Sequence, residues 1–370
     1  MSDRHTRGYV LLALLTLFLA TIAAASASRL ILLATDPHAE ALRSRIVLQE
    51  AREALMAYAA LEDNSPGSLP CPDQNNDGWA ESGIGTNPCN APHIGRLPWK
   101  TLGLGCLQDA TGECLWYALS PDFRNTLQTS TRGQTQARLN PETPGAIIHA
   151  DTSVVAVLLA PGRPLSHQQR SAPVGFSCND GVSTDFLEAL SADGLSLQDS
   201  EGNDIVLTLD SNTLMRLVAR RVLHSLALGE PYADRGLRWL IRDQGVPATS
   251  LVTGANNLNR AGSVHHTRRE FDDALQSVAT GIGRTHFEFS RYDNTGCPDY
   301  IARYTRLDGL PGATQPDGHP GVPPAEWLCR NDWYAHLQAW GTDAGGLLLH
   351  LWPTASRHDG TVLATKEISP

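Results

Sequence analysis

The strongest constraint on this chain is an uncharged run near its start, Tyr9 to Ser28 (YVLLALLTLFLATIAAASAS). These twenty residues contain no Gly and no Pro. As a helix rising 1.5 Å per residue they would span about 30 Å, the thickness of a bilayer's hydrocarbon core. A short leader, Met1 to Arg7, carries Arg4 and Arg7 and ends at Gly8. That positive charge holds the leader on the cytoplasmic side and sends the remainder of the chain across the membrane. The helical signal continues past the span. After Arg29 comes Leu30-Ile31-Leu32-Leu33, and beyond Asp36-Pro37 a second pattern runs from Ala39 to Leu61. Val47, Ala51, Ala54, Leu55 and Tyr58 fall at i, i+4, i+7, i+8 and i+11, with Arg43, Glu50 and Glu53 off that stripe. The expectation is one long element, membrane-bound in its first half and amphipathic in its second.

The segment Arg7-Gly8-Tyr9-Val10-Leu11-Leu12 and the run behind it resemble the start of the type IV pilin-like proteins. The resemblance covers about a sixth of the chain. It implies that a prepilin peptidase cuts after Gly8 and that the new amino terminus, Tyr9, is methylated. It also implies a single-pass protein of a bacterial inner membrane, with an exported head and other pilin or pseudopilin subunits as partners. Two residues depart from the family pattern. Tyr9 stands where Phe or Met is usual, and Ala13 stands where the fifth mature residue is usually Glu. The missing Glu is similar to the K-type minor pseudopilin at the tip of the type II secretion pseudopilus. In the family that Glu pairs with the amino terminus of the subunit above, and a tip subunit has none above it. Two other readings fit the same residues. One is a cleaved secretory signal, with Ala23-Ala24-Ala25-Ser26-Ala27 as an A-x-A-like site; the other is a plain signal anchor. Continuation of helix past residue 35 favours the pilin-like reading.

Roughly 300 residues remain outside the span, enough for one large domain or two ordinary ones with real cores. A net charge of −10 and a pI near 5.7 argue against nucleic acid as a partner and against a broad polybasic membrane patch. The expected class is α+β, a long N-terminal transmembrane and amphipathic helix carrying a disulfide-stapled head. Its expected parts are a leader (1–8), a transmembrane helix (9–35) and an amphipathic extension (36–63). A pilin-like head (64–210) comes next, and residues 211–370 are either more of that head or a second domain.

All seven cysteines lie in the exported part, where a periplasm oxidises thiols that geometry allows to pair. Local spacing pairs Cys71 with Cys89, Cys106 with Cys114 and Cys297 with Cys329, and leaves Cys178 over. Zinc is disfavoured, because no C-x-x-C occurs and no His pair stands at ligand spacing from a Cys pair.

The helix is broken at Asn64-Ser65-Pro66-Gly67. Directly after it comes the most chemical stretch, Pro70-Cys71-Pro72-Asp73-Gln74-Asn75-Asn76-Asp77-Gly78-Trp79-Ala80-Glu81. Asp73, Asn75 and Asp77 occupy alternate positions ahead of Gly78, which is the D-x-N-x-D-G half of an EF-hand-type calcium loop. Their side chains, the backbone carbonyl of Trp79 and Glu81 would present oxygen to Ca2+. The full pattern fails at its last position, which is Ile84 instead of a bidentate Glu, so a stand-alone loop is the better expectation. The competing reading is a solvated Asx-rich turn. Known pseudopilins bind calcium, so the resemblance adds weight to the cation.

His93 to Leu104 (HIGRLPWKTLGL) and Cys114 to Pro121 read as short buried segments between turns. The Pro-Cys-Pro-Asp loop with this second segment resembles uncharacterised pilin-like proteins of proteobacteria. Val154 to Leu159 and Ile205 to Leu209 read as strands, and Asp210 or Ser211 caps a helix from Thr213 to about Leu228. Leu214, Leu217, Val218 and Leu226 face inward on it, while Arg216, Arg220 and Arg221 form a solvated face. Further on, 269–282 reads as helix, 286–289 and 297–304 as strands, 311–324 as a Pro/Gly-rich loop, and 347–352 is apolar. No H-E-x-x-H, G-x-S-x-G or S-x-x-K motif occurs, and no catalytic residue stands out. A non-catalytic filament subunit is expected, with an anchored periplasmic binding or hydrolytic domain as the alternative.

Overall fold

The computed structural model describes residues 37–62, 66–81, 93–124, 139–145, 152–170, 181–192, 202–228, 237–242, 261–263, 333–354 and 361–370, and residues 21, 178, 194, 196, 197 and 331. Helix α1 spans Pro37–Leu61. Pro37 suits a first helical position, where its missing N–H costs nothing. The buried residues of α1 are Ser44, Leu48, Ala51, Leu55 and Ala59, three or four apart and hence on one face. The expected stripe contains Ala51 and Leu55 but is centred one column away. Val47, Ala54 and Tyr58 flank the contact and are half-buried. Two adjacent columns of α1 are apolar, and periodicity alone cannot choose between them. Among the described residues no helix is long and apolar enough to cross a membrane. The expected span at 9–35 lies outside them except for Thr21, which is helical.

The first sheet is antiparallel, in the order β1 (Ile94–Arg96), β2 (Trp116–Leu119), β3 (Val154–Ala160) and β4 (Ile205–Asp210). Strand β3 is buried along its whole length because both of its faces are covered. Val155, Ala156, Leu158 and Ala160 join Leu48 and Leu55 of α1 in one cluster. Val154, Val157 and Leu159 join Trp116, Phe186 and Leu190 in another. Neighbours Val155 and Ala156 share a face because the register with β4 shifts between Val154 and Ala156, as a bulge does.

Helix α2 (Ser211–Leu228) leaves β4 directly. The Thr213 N–H donates to Asp210 Oδ1 at 2.7 Å and its hydroxyl to Oδ2 at 2.6 Å, so Asp210 closes the helix start. Leu214, Val218, Val222 and Leu226 are buried, whereas Leu217 is half-buried. Arg216 and Arg220 are exposed, as expected. Arg221 instead reaches back to α1, donating to the Ala60 carbonyl at 3.1 Å, one of the last-turn carbonyls that the helix itself leaves unpaired. A short helix α3 (Leu237–Arg242) packs on α2.

The second antiparallel sheet has the order β5 (Ala261–Ser263), β6 (Leu337–Gly341), β7 (Leu347–Leu351) and β8 (Ala364–Ile368). Burial alternates along β6 and β7, so one face of this sheet is covered. That cover includes α2, which touches α1 and β4 as well as β7 and β8. A single cluster of buried apolar residues therefore runs from Leu48 to Ile368 and passes through the strand–helix junction at residue 210. The α+β expectation holds at this level. The elements expected at 269–282, 286–289 and 297–304 lie outside the described residues.

Candidate functional site

The Asp73 loop is built on the outer edge of β1. The Asp73 N–H donates to the Arg96 carbonyl at 2.9 Å and the Arg96 N–H to the Asp73 carbonyl at 2.8 Å. Gly95 permits this approach, since a Cβ there would lie 2.5 Å from the Asp73 carbonyl oxygen. Two left-handed residues then bend the loop, Asn76 (φ 61°) and Gly78 (φ 86°). Trp99 lies against Gly78, and a Cβ on that glycine would be 2.6 Å from Trp99 Cε2. The Lys100 N–H donates to the Gly78 carbonyl at 2.8 Å, and the Ala80 N–H to Thr101 Oγ1 at 2.7 Å. Lys100 Nζ also donates to the Asp77 carbonyl. The two motifs read separately from sequence are thus one unit: the Gly95–Thr101 segment is the seat of the Asp73–Glu81 loop.

Within the loop the donors differ sharply. Asp73 is 1 % exposed. Its Oδ2 accepts the Gly78 N–H at 2.7 Å, while Oδ1 is buried without a hydrogen-bond partner among the described residues. Burial raises the Asp73 pKa, against the N–H groups of Gly78 and Asn76 that lower it. A buried carboxylate oxygen with no partner is costly unless a cation or a water meets it. The other candidates turn to their own backbone. Asn75 Oδ1 accepts the Asp77 N–H at 3.0 Å, Asp77 Oδ1 the Trp79 N–H at 2.8 Å, and Glu81 Oε1 the Gln74 N–H at 3.2 Å. The Trp79 side chain is largely exposed, so its contribution is limited to its backbone. Asp73, Asp77 and Glu81 do not close to within 4.8 Å of one another as a set. Chemically this is an all-oxygen set, suited to a hard cation, with one member fixed inward. Asp77 and Glu81 would have to exchange backbone donors for an ion.

The disulfides need one correction. Spacing pairs Cys106 with Cys114, but the structure joins Cys114 to Cys178, with a Cα–Cα distance of 5.5 Å, and leaves Cys106 a thiol. Cys178 is 64 residues from Cys114, so the folded sheet brings it close, and local spacing is blind to that. Cys71 is disulfide-bonded, and Cys89, its expected partner, lies outside the described residues. So do Cys297 and Cys329. The Cys106 sulfur is 3.5 Å from both sulfurs of the Cys114–Cys178 bridge. This sulfur group touches the Asp73 loop, because Asn76 Nδ2 donates to the Cys178 carbonyl at 2.8 Å.

Arg96 is the residue that sequence reasoning missed. It is 4 % exposed. Its guanidinium carbon lies 4.1 Å from the Trp116 ring centre and 4.3 Å from that of Phe186, so the cation lies over both rings of an aromatic pair whose own centres are 5.4 Å apart. Nη1 donates to the Cys114 carbonyl at 3.1 Å. Burial pushes its pKa down to about 10, with Glu113 opposing, so it stays charged at neutral pH. The available signal was a charged residue inside the apolar run Ile94 to Trp99. Beside it opens a cleft of about 410 Å³, lined among others by Asp73, Asn76, Arg96, Trp116, Val182 and Thr184.

The chain matches no family model, no curated protein and no solved structure.

Proposed function

We propose that this protein is a minor pilin- or pseudopilin-like structural subunit. It would assemble through its N-terminal hydrophobic helix, with the head at the surface or tip of a type IV pilus or type II secretion-type filament. The observation that carries this reading is the way α1 leaves the head. Its first buried residue is Ser44, and Leu42 and Ile46, one turn apart on the outer side, are 61 % and 60 % exposed. An apolar run that leads into a helix with an uncovered apolar ridge suits a stem that packs among like stems. Burying each such side chain stabilises a packed helix by about 1.5–3 kcal/mol. Leaving the membrane would replace lipid contacts by helix–helix contacts with neighbouring subunits. In this reading the Asp73 loop holds Ca2+ through Asp73, Asn75, Asp77, the Trp79 carbonyl and Glu81, and stiffens the head.

The test is the mature amino terminus of the full chain produced with and without a prepilin peptidase. A start at methylated Tyr9 that depends on the peptidase is expected. A start at Ser28, or an unaltered Met1, overturns the assembly reading. The cleft beside Arg96 favours a second reading, an anchored periplasmic binding or hydrolytic domain, and an uncut leader would favour it over the first.

A further inference from the structure

We propose that Cys106, Cys114 and Cys178 form a thiol–disulfide exchange centre that ties or releases one wall of the cleft. This inference does not depend on the filament role. Its basis is the position of the one free thiol of the three. Cys106 Sγ is 3.5 Å from Cys114 Sγ and 3.5 Å from Cys178 Sγ, and all three sulfurs lie within 4.8 Å of one another. Equal distances place the thiol beside the bridge. Displacement runs in line with the bond being broken, so exchange begins with a rotation of the Cys106 side chain that lines it up on one sulfur.

The step balances without any outside reagent. Cys106 gives its proton to solvent, and the thiolate pair forms a bond to Cys114 Sγ. The Cys114–Cys178 bond breaks, and its electron pair leaves on Cys178 Sγ, which takes up a proton. One disulfide and one thiol are present before and after, and nothing is oxidised or reduced overall. Binding of a soft metal by the same three sulfurs would first need a two-electron reductant to open the bridge. Exchange needs none.

The geometry also selects the second isomer. Cys106 and Cys114 flank one tight local turn, in which Gln108 pairs with Cys114. Asp109 holds that turn by accepting the Thr111 and Glu113 N–H groups at 2.8 and 3.0 Å. A Cys106–Cys114 bridge can therefore form inside an element that is already folded. Cys178 belongs to a different stretch of chain, where its carbonyl receives Asn76 and where residues 181–184 line the cleft together with Asp73. In the isomer seen here that wall is tied covalently to the foot of β2. In the exchanged isomer it is held by hydrogen bonds and packing alone. Arg96 stands over the exchange, since its charge opposes the burial that raises the Cys106 pKa.

The experiment uses the full chain, purified in acid without reductant, shifted to a range of pH for different times, and only then pulsed briefly with excess N-ethylmaleimide to trap whichever thiol is free. Quenching in acid and peptic digestion then keep the bridges from scrambling before peptide mass spectrometry. Label is expected on Cys106 at first and increasingly on Cys178, with a Cys106–Cys114 peptide appearing in step. The transfer should speed up about tenfold per pH unit while the thiol is mostly protonated. Label confined to Cys106 at every time and pH overturns the exchange. The tether is tested separately by amide hydrogen exchange at 181–184. Cys178→Ser, which cannot tie the wall, is expected to exchange faster there than Cys106→Ser, which keeps the bridge. Equal rates overturn the claim that the bridge restrains the cleft.

Discussion

Replacing Gly78 by Ala tests the way the Asp73 loop is seated. Two separate costs meet at this position. The backbone has φ +86°, where a Cβ costs about 1–2 kcal/mol. The new Cβ would also meet three atoms of the Trp99 ring at 2.6, 2.8 and 2.9 Å, all closer than non-bonded carbon tolerates. Overpacking of this kind costs about 1–3 kcal/mol. The sum is about 2–5 kcal/mol, and the half-buried Trp99 ring can yield somewhat, which places the expectation in the lower half of that range. Against a typical domain stability of about 5–15 kcal/mol the loss is easily measured. The assay is urea unfolding of the full chain, monitored by circular dichroism, for Gly78→Ala, Trp99→Leu and the double variant. If the ring is the obstacle, removing it should recover about 1–3 kcal/mol of the glycine variant's loss and leave the backbone part. A Gly78→Ala protein within about 0.5 kcal/mol of the parent would refute the seating, as would an equal loss with and without Trp99.

Three further outcomes are expected. Calcium should raise the melting temperature of the parent, by the equivalent of about 2.7 kcal/mol at one hundred times its Kd, and Asp73→Ala with Asp77→Ala should abolish the rise; no rise in the parent ends the calcium reading. Asp73 should also shape the pH dependence of stability. A carboxyl whose folded pKa lies above the ordinary 3.8 binds its proton more tightly when folded, so its contribution is greatest when protonated. That contribution falls as the pH climbs from 3.8 through the raised value and is level beyond it. Asp73→Asn should flatten that fall in thermal melts taken across the acid range, with Asp204, raised by burial in the same sense, supplying what is left; an unchanged profile would count against burial of Asp73 as its source. Finally, Asp210→Ala should cost about 0.5–2 kcal/mol in denaturant unfolding by uncapping α2, and a neutral substitution would show that the cap is dispensable.

How much could be read from sequence depends on the range over which each interaction acts. Strand β3 was legible because a β-branched run buried on both faces needs no register to be recognised. Helix α2 was legible because Asp210 and the apolar spacing behind it are local. The face of α1 was only half legible, since which of two neighbouring apolar columns makes contact depends on β3 and β4. The Cys114–Cys178 bridge was out of reach, as it depends on a chain return 64 residues away that spacing does not encode. The loop shows both cases at once. Asp73, Asn75, Asp77 and Gly78 announce a turn with oxygen donors, while the fact that Trp99 and Gly95 hold that turn comes only with the fold. Arg96 against the Trp116–Phe186 pair was missed for the same reason, because two of those three side chains are contributed from elsewhere in the chain.

With Asp73 seated on Arg96, both main-chain hydrogen-bonding groups of Arg96 that point away from β2 are already taken. The rim of the first sheet is thereby shielded from a stray strand of another molecule, the usual route to clumping. Damage to the loop should therefore show first as sticky, self-associating heads, well before any loss of helix or sheet.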